Sequence, residues 1–585
     1  MRKFGRFIIG FFAVIGVLAF LAIGAGVGIF GFVRSRAPHI ADGTILTLDL
    51  TQSFPDQAAA SGVQRLLFPN RLSLIDALST IERAQNDPRV TGLVARIGDS
   101  DMGLAQVEEL RDAIAAFRAT GKRAIAYSDT FGELSSGTHS YYLASAFDQI
   151  WLQPMGMVGL VGLRVEMPYI RGTLDMLGVV PDVEHREEYK DAANMFTEKQ
   201  MTGPEREELQ ALLDSINARM IQDIATDRKI DPATLKALID RAPLLTQEAL
   251  TAHLVDHVGD REDAIASFGA APKLLSLEAY RDQAGEAHRS GPTIALIYAT
   301  GLLSRGGGDS GNALTGGASG TDELTRAFRL AQEDKNVRAI LFRIDSPGGS
   351  AVAAETIWAA VERAHEAGKP IIVSMGDVAG SGGYYIAAPA DKIVAEPATL
   401  TGSIGVVAGK PVIDGLMQKL GASHDALQTG ANAGMFSLFQ DFSPSERERL
   451  NAVLDDIYAG FKHRVAEGRK LDAAAVEAVA KGRVWSGVDA QSRGLVDTLG
   501  GFRTALDLAK QSAGIAADDD VTLKLYPPPQ TAIDAIVARL SGNSDEDADT
   551  LLPVQWIAMW RATVQRAALM LAPPGALTMP PLETR

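Results

Sequence analysis

A serine among small residues is the most reactive candidate in this 585-residue chain. Ser381 lies in the stretch Asp377–Tyr385, DVAGSGGYY, after the strand-like run Pro370–Met375 and before the apolar run Tyr384–Ala388. Glycine on either side of the serine lets the backbone approach a substrate closely. The pattern therefore suits a nucleophilic hydroxyl on a tight turn between a strand and a helix.

A second glycine-rich turn could stabilise negative charge. Arg343–Ser350 reads RIDSPGGS, follows the strand-like run Val337–Ile344 and opens a helix-like run. Backbone N–H groups at Gly348 and Gly349 could be directed at an oxyanion that develops during acyl transfer. The two turns together favour covalent serine catalysis over an unrelated pair of loops.

The spacing leaves open which base would activate the serine. No histidine lies between Ser381 and His424, so a Ser-His-Asp arrangement cannot be argued. Ala379 replaces the first glycine of the Gly-x-Ser-x-Gly elbow of α/β-hydrolases. A lysine is the remaining option, provided that burial lowers its pKa enough to leave the amine neutral.

These stretches resemble the Clp/crotonase fold. The SGGYY motif is similar to that of the signal peptide peptidase A family, closest to its long, two-repeat type, and the resemblance extends over Thr44–Ala509. It implies a Ser/Lys dyad, with Ser381 as nucleophile and Lys190 as general base. Lys190 lies in Glu188–Ala193, EYKDAA, which resembles the family's Tyr-Lys-Ser-Ala segment. Asp191 stands in place of the usual serine.

The same resemblance implies that other residues assist the dyad, and it implies no cofactor or metal. It implies an oxyanion hole made by backbone N–H groups near Gly348, Gly349 and Gly382. The segment Thr399–Gly405, TLTGSIG, is similar to the family segment whose serine helps to orient the lysine. Ser403 is therefore a candidate positioning residue.

The rest of the chain must supply a scaffold for these residues, and its pattern is α/β. Strand-like runs at Thr44–Leu50, Val90–Ile97 and Arg123–Tyr127 alternate with amphipathic helical runs such as Leu72–Ala84. Such alternation predicts a largely parallel sheet with helical crossovers.

An internal repeat is the strongest architectural signal. Asp87–Val90 returns as Asp334–Val337, and Leu254–Asp256 returns as Leu495–Asp497. We therefore predict two tandem Clp/crotonase-like copies. The predicted domains are a cytoplasmic stub with a membrane anchor (1–36), copy one with the lysine (37–290), copy two with the serine (291–525) and a Pro-rich, amphipathic tail (526–585).

Each copy keeps one half of the implied dyad. Aligning Tyr141 with Tyr384 places Thr138–Ser140 opposite Ser381–Gly383, so copy one lacks the nucleophile. Its residues opposite Gly348 and Gly349 are Asp101 and Met102, and the copy-two segment opposite the lysine, Thr429–Phe436, contains no lysine. This complementary loss predicts one composite site, formed within a chain or between neighbouring chains.

The N-terminus has the pattern of a membrane anchor. Phe7–Val33 carries no charged residue and exceeds the ~20 residues that span a bilayer. Basic residues are more numerous before this run than just after it, which predicts a cytoplasmic N-terminus and a periplasmic catalytic part, in a single-pass protein of the bacterial inner membrane. The alternative is a cleaved signal peptide, since the small residues Gly24–Gly26 occur late in the run.

Composition excludes several other classes. The net charge of −16 argues against nucleic acid as a partner. The absence of cysteine excludes disulfides, thiol catalysis and thiolate metal sites.

Two further segments lie outside the predicted α/β pattern. Arg305–Gly320 is rich in Gly and Ser and is interpreted as a linker or a substrate-entry flap without strand or helix. In the tail, Leu551–Ala572 predicts an amphipathic helix on a partner subunit or at the membrane surface.

The sequence thus predicts a membrane-anchored serine endopeptidase. The resemblance implies that its substrates are cleaved signal peptides and other apolar or unfolded polypeptides, and that the protein is a homo-oligomer, with a tetramer favoured. Two alternatives stay open: a crotonase-type enzyme acting on acyl thioesters, and an inactive membrane-bound scaffold that binds polypeptides.

Overall fold

A computed structural model describes residues 40–57, 72–308 and 318–528, together with a short backbone strand at 576–578. The predicted anchor Phe7–Val33 and the predicted amphipathic helix Leu551–Ala572 lie outside these residues. Within the described ranges, no helix is long and apolar enough to cross a membrane.

Copy one contains nine strands and ten helices among the described residues. The strands are β1 (Thr44–Leu50), β2 (Val90–Ile97), β3 (Arg123–Ser128), β4 (Gln149–Leu152), β5 (Met157–Val158), β6 (Val180–His185), β7 (Leu244–Leu245), β8 (His257–Val258) and β9 (Lys273–Ser276). The helices are α1 (Leu74–Gln85), α2 (Leu104–Ala119), α3 (Thr138–Ser145), α4 (Arg171–Leu177), α5 (Asn194–Thr197), α6 (Gly203–Arg228), α7 (Pro232–Ile239), α8 (Thr246–Thr251), α9 (Arg261–Ala266) and α10 (Leu277–Ala284).

The part that follows, copy two and the tail strand, is built in the same way. Its strands are β10 (Thr293–Thr300), β11 (Leu302–Ser304), β12 (Ala318–Gly320), β13 (Val337–Ser346), β14 (Gly348–Ser350), β15 (Ile371–Gly380), β16 (Lys392–Ala395), β17 (Leu400–Gly402), β18 (Val407–Val412), β19 (Val484–Ser486), β20 (Thr498–Leu499), β21 (Thr522–Leu525) and β22 (Ala576–Thr578). Its helices are α11 (Thr321–Glu333), α12 (Ala351–Glu366), α13 (Gly382–Ala387), α14 (Asp414–Lys419), α15 (Pro444–Arg469), α16 (Ala473–Val479), α17 (Gly487–Ser492) and α18 (Phe502–Ser512).

The predicted repeat is visible as two sheets with the same strand order. Copy one has the order β8-β4-β3-β2-β1-β9, and copy two has the order β20-β16-β15-β13-β10-β21. All of these pairs are parallel. Successive residues of the central strands, such as Leu93, Val94 and Ala95, are buried, as expected for parallel strands covered on both faces. The α/β prediction is confirmed, whereas assignment to the Clp/crotonase type stays a prediction.

Repeated residues make equivalent contacts in the two copies. Asp256 accepts a hydrogen bond from the backbone of β4 and pairs with Arg228. Asp497 does the same for β16 and pairs with Arg469. The longest helix of each copy begins at a capping box and ends at a lysine in the left-handed conformation.

The prediction that Arg305–Gly320 contains no strand is wrong for its last residues. Its last residues, Ala318–Gly320, form β12, which pairs in parallel with β11. The Ser319 hydroxyl fixes this strand because it accepts from the Thr300 N–H and donates to the Thr300 carbonyl. The division between residues 290 and 291 stays a prediction; it falls in the loop between α10 and β10.

The two copies are joined through an antiparallel ribbon and a buried ionic cluster. β6 of copy one pairs with β18 of copy two over its whole length. Arg343 on β13 is fully buried and forms bidentate bonds, all at 2.8–2.9 Å, with Asp56 and Glu109 of copy one. Asp377 accepts hydrogen bonds from backbone N–H groups at the start of α2. The strand that leads to Ser381 is therefore bound directly to copy one.

Replacing Arg343 tests this cluster. Arg343→Met should lower the free energy of unfolding by about 3–5 kcal/mol, because it leaves two buried carboxylates without a counter-charge. The matched control is Arg96→Met, since Arg96 is the equivalent residue of copy one and pairs with Asp129 at a half-exposed position. Its effect should stay below about 1 kcal/mol. Equal losses in urea unfolding of the two variants would contradict the role of Arg343.

Candidate active site

Ser381 lies between β15 and α13 in a conformation that is unfavourable for a residue with a side chain. Its φ and ψ are 54° and −116°, and its side chain is fully buried. The Ser381 N–H donates to the Gly402 carbonyl at 2.8 Å, where β17 runs beside β15. Such strain persists only where surrounding structure holds it, and it is common at functional sites. The predicted turn between a strand and a helix is confirmed.

Lys190 follows β6 and reaches Ser381 of the same chain. Its side chain is 1% exposed. The Lys190 Nζ donates to the Ser381 Oγ at 3.0 Å, to the Ser403 Oγ at 2.9 Å and to the Ser403 carbonyl at 3.0 Å. Copy one thus contributes the amine and copy two the hydroxyl, within one chain. The sequence left open whether the two would come from one chain or from two.

Burial gives the lysine the proton affinity of a general base. Desolvation lowers the pKa of Lys190 to about 7, and the charges of Asp191 and Glu208 oppose that decrease without cancelling it. A large fraction of the amine is therefore neutral near pH 7 and can accept a proton from a hydroxyl 3.0 Å away.

Ser403 and Gly482 hold the lysine in place. Ser403 has a φ of 51°, and its N–H donates to the Arg483 carbonyl at 2.8 Å, which turns both of its oxygens toward Lys190. Gly482 packs against the lysine backbone: a Cβ there would lie 2.5 Å from the Lys190 nitrogen. Sequence reasoning missed Gly482, because nothing in the local pattern distinguishes it from a glycine of an ordinary loop.

The three predicted oxyanion glycines are adjacent in space. A Cβ on Gly382 would lie 3.1 Å from the Gly348 Cα and 3.2 Å from the Gly349 nitrogen. Gly348 and Gly349 have φ values of 101° and 157°. The Gly348 N–H donates to the Ser346 Oγ at 3.2 Å, and Gly382 begins α13 directly after the serine. The N-terminus of that helix and the β14 backbone therefore meet beside the Ser381 hydroxyl.

An extended segment already lies along this turn. β22, near the C-terminus, pairs antiparallel with β14, with Gly349 opposite Leu577. It also contacts β18. The edge of β14 beside Ser381 can therefore bind a polypeptide backbone in strand conformation.

Copy one has no equivalent site at the positions that the alignment indicates. Thr138 stands at the serine position, begins α3 and donates to the Gly162 carbonyl at 2.9 Å. The neighbouring tyrosines nevertheless keep the same contact in both copies: Tyr141 donates to the Leu254 carbonyl, and Tyr384 donates to the Leu495 carbonyl. Among the described residues, the two copies therefore share these scaffold contacts, whereas copy one lacks the buried serine at the aligned position.

Comparisons with known proteins identify the family of this chain. The sequence matches Peptidase family S49 over residues 116–274 and 363–516. It is 30% identical to "Protease 4" of Salmonella typhi, covering 97% of this chain and 95% of that protein. It is 31% identical to "Protease 4" of Haemophilus influenzae, covering 76% and 73%. It is 30% identical to "Serine protease SPPA, chloroplastic" of Arabidopsis thaliana, covering 86% and 74%.

The pKa of Lys190 sets the expected pH dependence. The rate at which a fluorophosphonate labels Ser381 should fall about tenfold per pH unit below about pH 7, because an ammonium group cannot accept the serine proton. The rate should reach a plateau above that pH. Ser381→Ala supplies the unlabelled control. A midpoint near 10.5, the ordinary lysine value, would contradict the role of burial.

The contact between Gly482 and Lys190 predicts the effect of one added methyl group. Gly482→Ala should reduce labelling of Ser381 about a hundredfold, the scale expected for a shift of about 1 Å in a reacting group. Gly368→Ala is the matched control, since Gly368 also has a positive φ, 81°, but has no atom within 4 Å of an added Cβ. Both variants carry the same backbone strain, so equal labelling rates would exclude a specific effect on Lys190.

Proposed function

Since this chain belongs to Peptidase family S49 and is a serine peptidase, we propose that Ser381 and Lys190 form its catalytic dyad. The 3.0 Å hydrogen bond between the Lys190 Nζ and the Ser381 Oγ, within a buried site, is the observation that carries the proposal. The crotonase-type alternative and the scaffold alternative need no such contact, and no observation favours either of them.

The reaction proceeds through an acyl-enzyme. Lys190 takes the Ser381 proton as the Oγ attacks the peptide carbonyl carbon, and the N–H groups of Gly349 and Gly382 stabilise the resulting oxyanion. The lysine ammonium then donates its proton to the leaving amine. A water molecule then attacks the ester carbonyl carbon, and neutral Lys190 accepts a proton from it. The bond between that carbon and the Ser381 Oγ breaks, Lys190 returns the proton to the Oγ, and the product leaves with a free carboxyl group. Gly348 contributes through its backbone shape, because its own N–H is directed to the Ser346 Oγ.

We propose that the substrates are extended, apolar polypeptides, including cleaved signal peptides. The pairing of β22 with β14 supports binding of a substrate in strand conformation, since the same backbone edge lies beside the nucleophile. Anchoring by Phe7–Val33 in the bacterial inner membrane, with the catalytic part in the periplasm, would hold the site close to peptides released into the bilayer. Assembly as a homo-oligomer, with a tetramer favoured, completes the proposal.

Two inactive variants test the dyad in the full-length protein. Ser381→Ala and Lys190→Met should each reduce kcat/KM on an apolar fluorogenic peptide by about a thousandfold or more. Lys199→Met is the control, because Lys199 is a lysine with a 70% exposed side chain. Full activity of Lys190→Met would rule out the lysine as the base.

Mixing the inactive variants tests whether the site is formed within one chain. Ser381→Ala and Lys190→Met, refolded together, should remain inactive, because the two side chains of one site come from a single chain. Recovery of activity in a mixed oligomer would show that neighbouring chains exchange halves of the site.

A further inference from the structure

The two copies of one chain meet through different faces. Copy one contributes helices α2 and α6, and copy two contributes the turn before β17 together with β19. The Ala398 N–H of that turn donates to Glu108 on α2 at 2.8 Å. The Ser486 hydroxyl on β19 is hydrogen-bonded to the Ser215 hydroxyl on α6 at 2.9 Å. Such a head-to-tail contact uses only one of the two faces that each copy has.

The face of copy one that corresponds to this turn and strand is exposed and apolar. β5 pairs with β7 in the register in which β17 pairs with β19, so Met155 and Leu245 occupy the positions of Ala398 and Ser486. Met155 is 86% exposed and Leu245 is 65% exposed, whereas their counterparts are buried. Large apolar side chains grouped on an exposed face indicate an interaction surface.

The remaining face of copy two is also uncovered. Val352 at the start of α12 is 60% exposed, whereas Ala105, its counterpart on α2, is buried. Glu355 corresponds to Glu108, and each accepts a hydrogen bond from the aligned tyrosine. Glu108 also accepts the backbone N–H from the other copy. The half-exposed Glu355 is placed to accept the equivalent bond from a second chain.

The ribbon of β6 and β18 that joins the copies has a repeat-related counterpart for each of its strands. Residues 423–428 of copy two correspond to β6, at the offset of 243 positions that relates Tyr141 to Tyr384. Gly178 and Gly421 mark this correspondence, because each follows a short helix and has a positive φ, 76° and 72°.

Residues 423–428 expose their backbone to solvent. They form neither helix nor strand, and their backbone groups make no hydrogen bond to the backbone of any residue that the structure describes. Their one large apolar side chain, Leu427, is fully exposed. His424 stacks on Phe439 with ring centroids 4.5 Å apart, which fixes the start of the segment. The segment is therefore held as an edge that another strand can pair with.

Residues 164–169 of copy one correspond to β18. Pro168 and Pro411 align at the same offset, and the two segments lead into the equivalent helices α4 and α14. Within the described ranges, residues 164–169 make no backbone–backbone hydrogen bond. Val165 lies in an isolated β-bridge, which takes one edge of its backbone. Since a strand has two edges, the other edge is left for a second chain.

We propose that residues 423–428 of one chain pair antiparallel with residues 164–169 of a second copy of this chain, as β6 pairs with β18 within a chain. In the equivalent register, Leu427 lies opposite Val165. The same contact places the exposed apolar face of copy one against α12 of the neighbouring chain. Because its two sides differ, the interface is heterologous and can repeat from chain to chain. This inference rests on the proposed homo-oligomer and does not depend on the Ser/Lys dyad.

Disulfide cross-linking tests this pairing, because the natural chain contains no cysteine. Opposite residues of an antiparallel pair have Cα atoms about 4.5–5.5 Å apart, which a disulfide can bridge. A full-length protein with both Val165→Cys and Leu427→Cys should form covalent dimers and longer chains under mild oxidation. Each single variant should remain monomeric on a non-reducing gel, because the two sides of the contact are different residues.

The matched control combines Val165→Cys with Leu274→Cys. Leu274 is also an exposed leucine, but it lies on β9, away from both segments, and this pair should not cross-link. A second measurement needs no oxidation: Leu427→Asp should raise the protein concentration at which sedimentation shows half dissociation about tenfold or more. Leu274→Asp should leave that concentration unchanged.

The outcomes separate the inference from the proposals on which it builds. An oligomeric protein in which the double-cysteine variant stays uncross-linked, or in which Leu427→Asp assembles like Leu274→Asp, overturns the inference alone. A wild type that sediments as a monomer at all concentrations overturns the proposed homo-oligomer as well. Fluorophosphonate labelling of Ser381 in the same samples reports separately on the dyad.

Discussion

The buried contact between an amine and a hydroxyl is the constraint on which the structure depends. A lysine accepts a proton near neutral pH only where it is removed from water, and both Lys190 and Ser381 are buried. Both copies are needed to shield this contact from water, because Lys190 follows β6 of copy one and Ser381 follows β15 of copy two. The closeness of the two copies is therefore a chemical requirement as well as a packing one.

The interface between the copies meets this requirement with charged groups. Arg343 is buried between Asp56 and Glu109, while Asp377 caps the start of α2. Because separating such a buried pair leaves an uncompensated charge, these contacts disfavour other relative placements of the two sheets. Asp377 lies on β15, the strand that leads to Ser381, so that placement is transmitted to Ser381.

Divergence of the two copies explains why the Lys190–Ser381 contact has no equivalent at the matching positions of copy one. The framework contacts are retained in both, as the pairs Arg228–Asp256 and Arg469–Asp497 show. Thr138 occupies the serine position of copy one, and its hydroxyl is used in a local bond. Structural contacts repeat because each sheet needs them for its own stability, whereas catalytic groups need to be present only once.

Much of the architecture could be predicted from the sequence because it depends on local pattern. The strands at Thr44–Leu50 and Val90–Ile97 have the predicted bounds, and α1 begins at Leu74, two residues later than predicted, because Ser73 forms a capping box. The glycine-flanked turn of Ser381 was equally predictable, since a turn between an apolar strand and an apolar helix is a property of a few consecutive residues. The strand Ala318–Gly320 was not predictable, because it depends on pairing with β11 and on the hydrogen bonds that the Ser319 hydroxyl exchanges with the Thr300 backbone.

The sequence by itself determined the α/β class and the repeat, and the resemblance indicated Ser381 and Lys190 as the candidate residues. Only the tertiary structure decided that these two side chains meet within one chain, that burial brings the pKa of the lysine to about 7, and that Gly482 packs against the lysine backbone. The reason is physical, because the proton affinity of a lysine depends on its desolvation and on charges contributed by residues distant in the chain. Neither can be read from the pattern of neighbouring residues in the sequence.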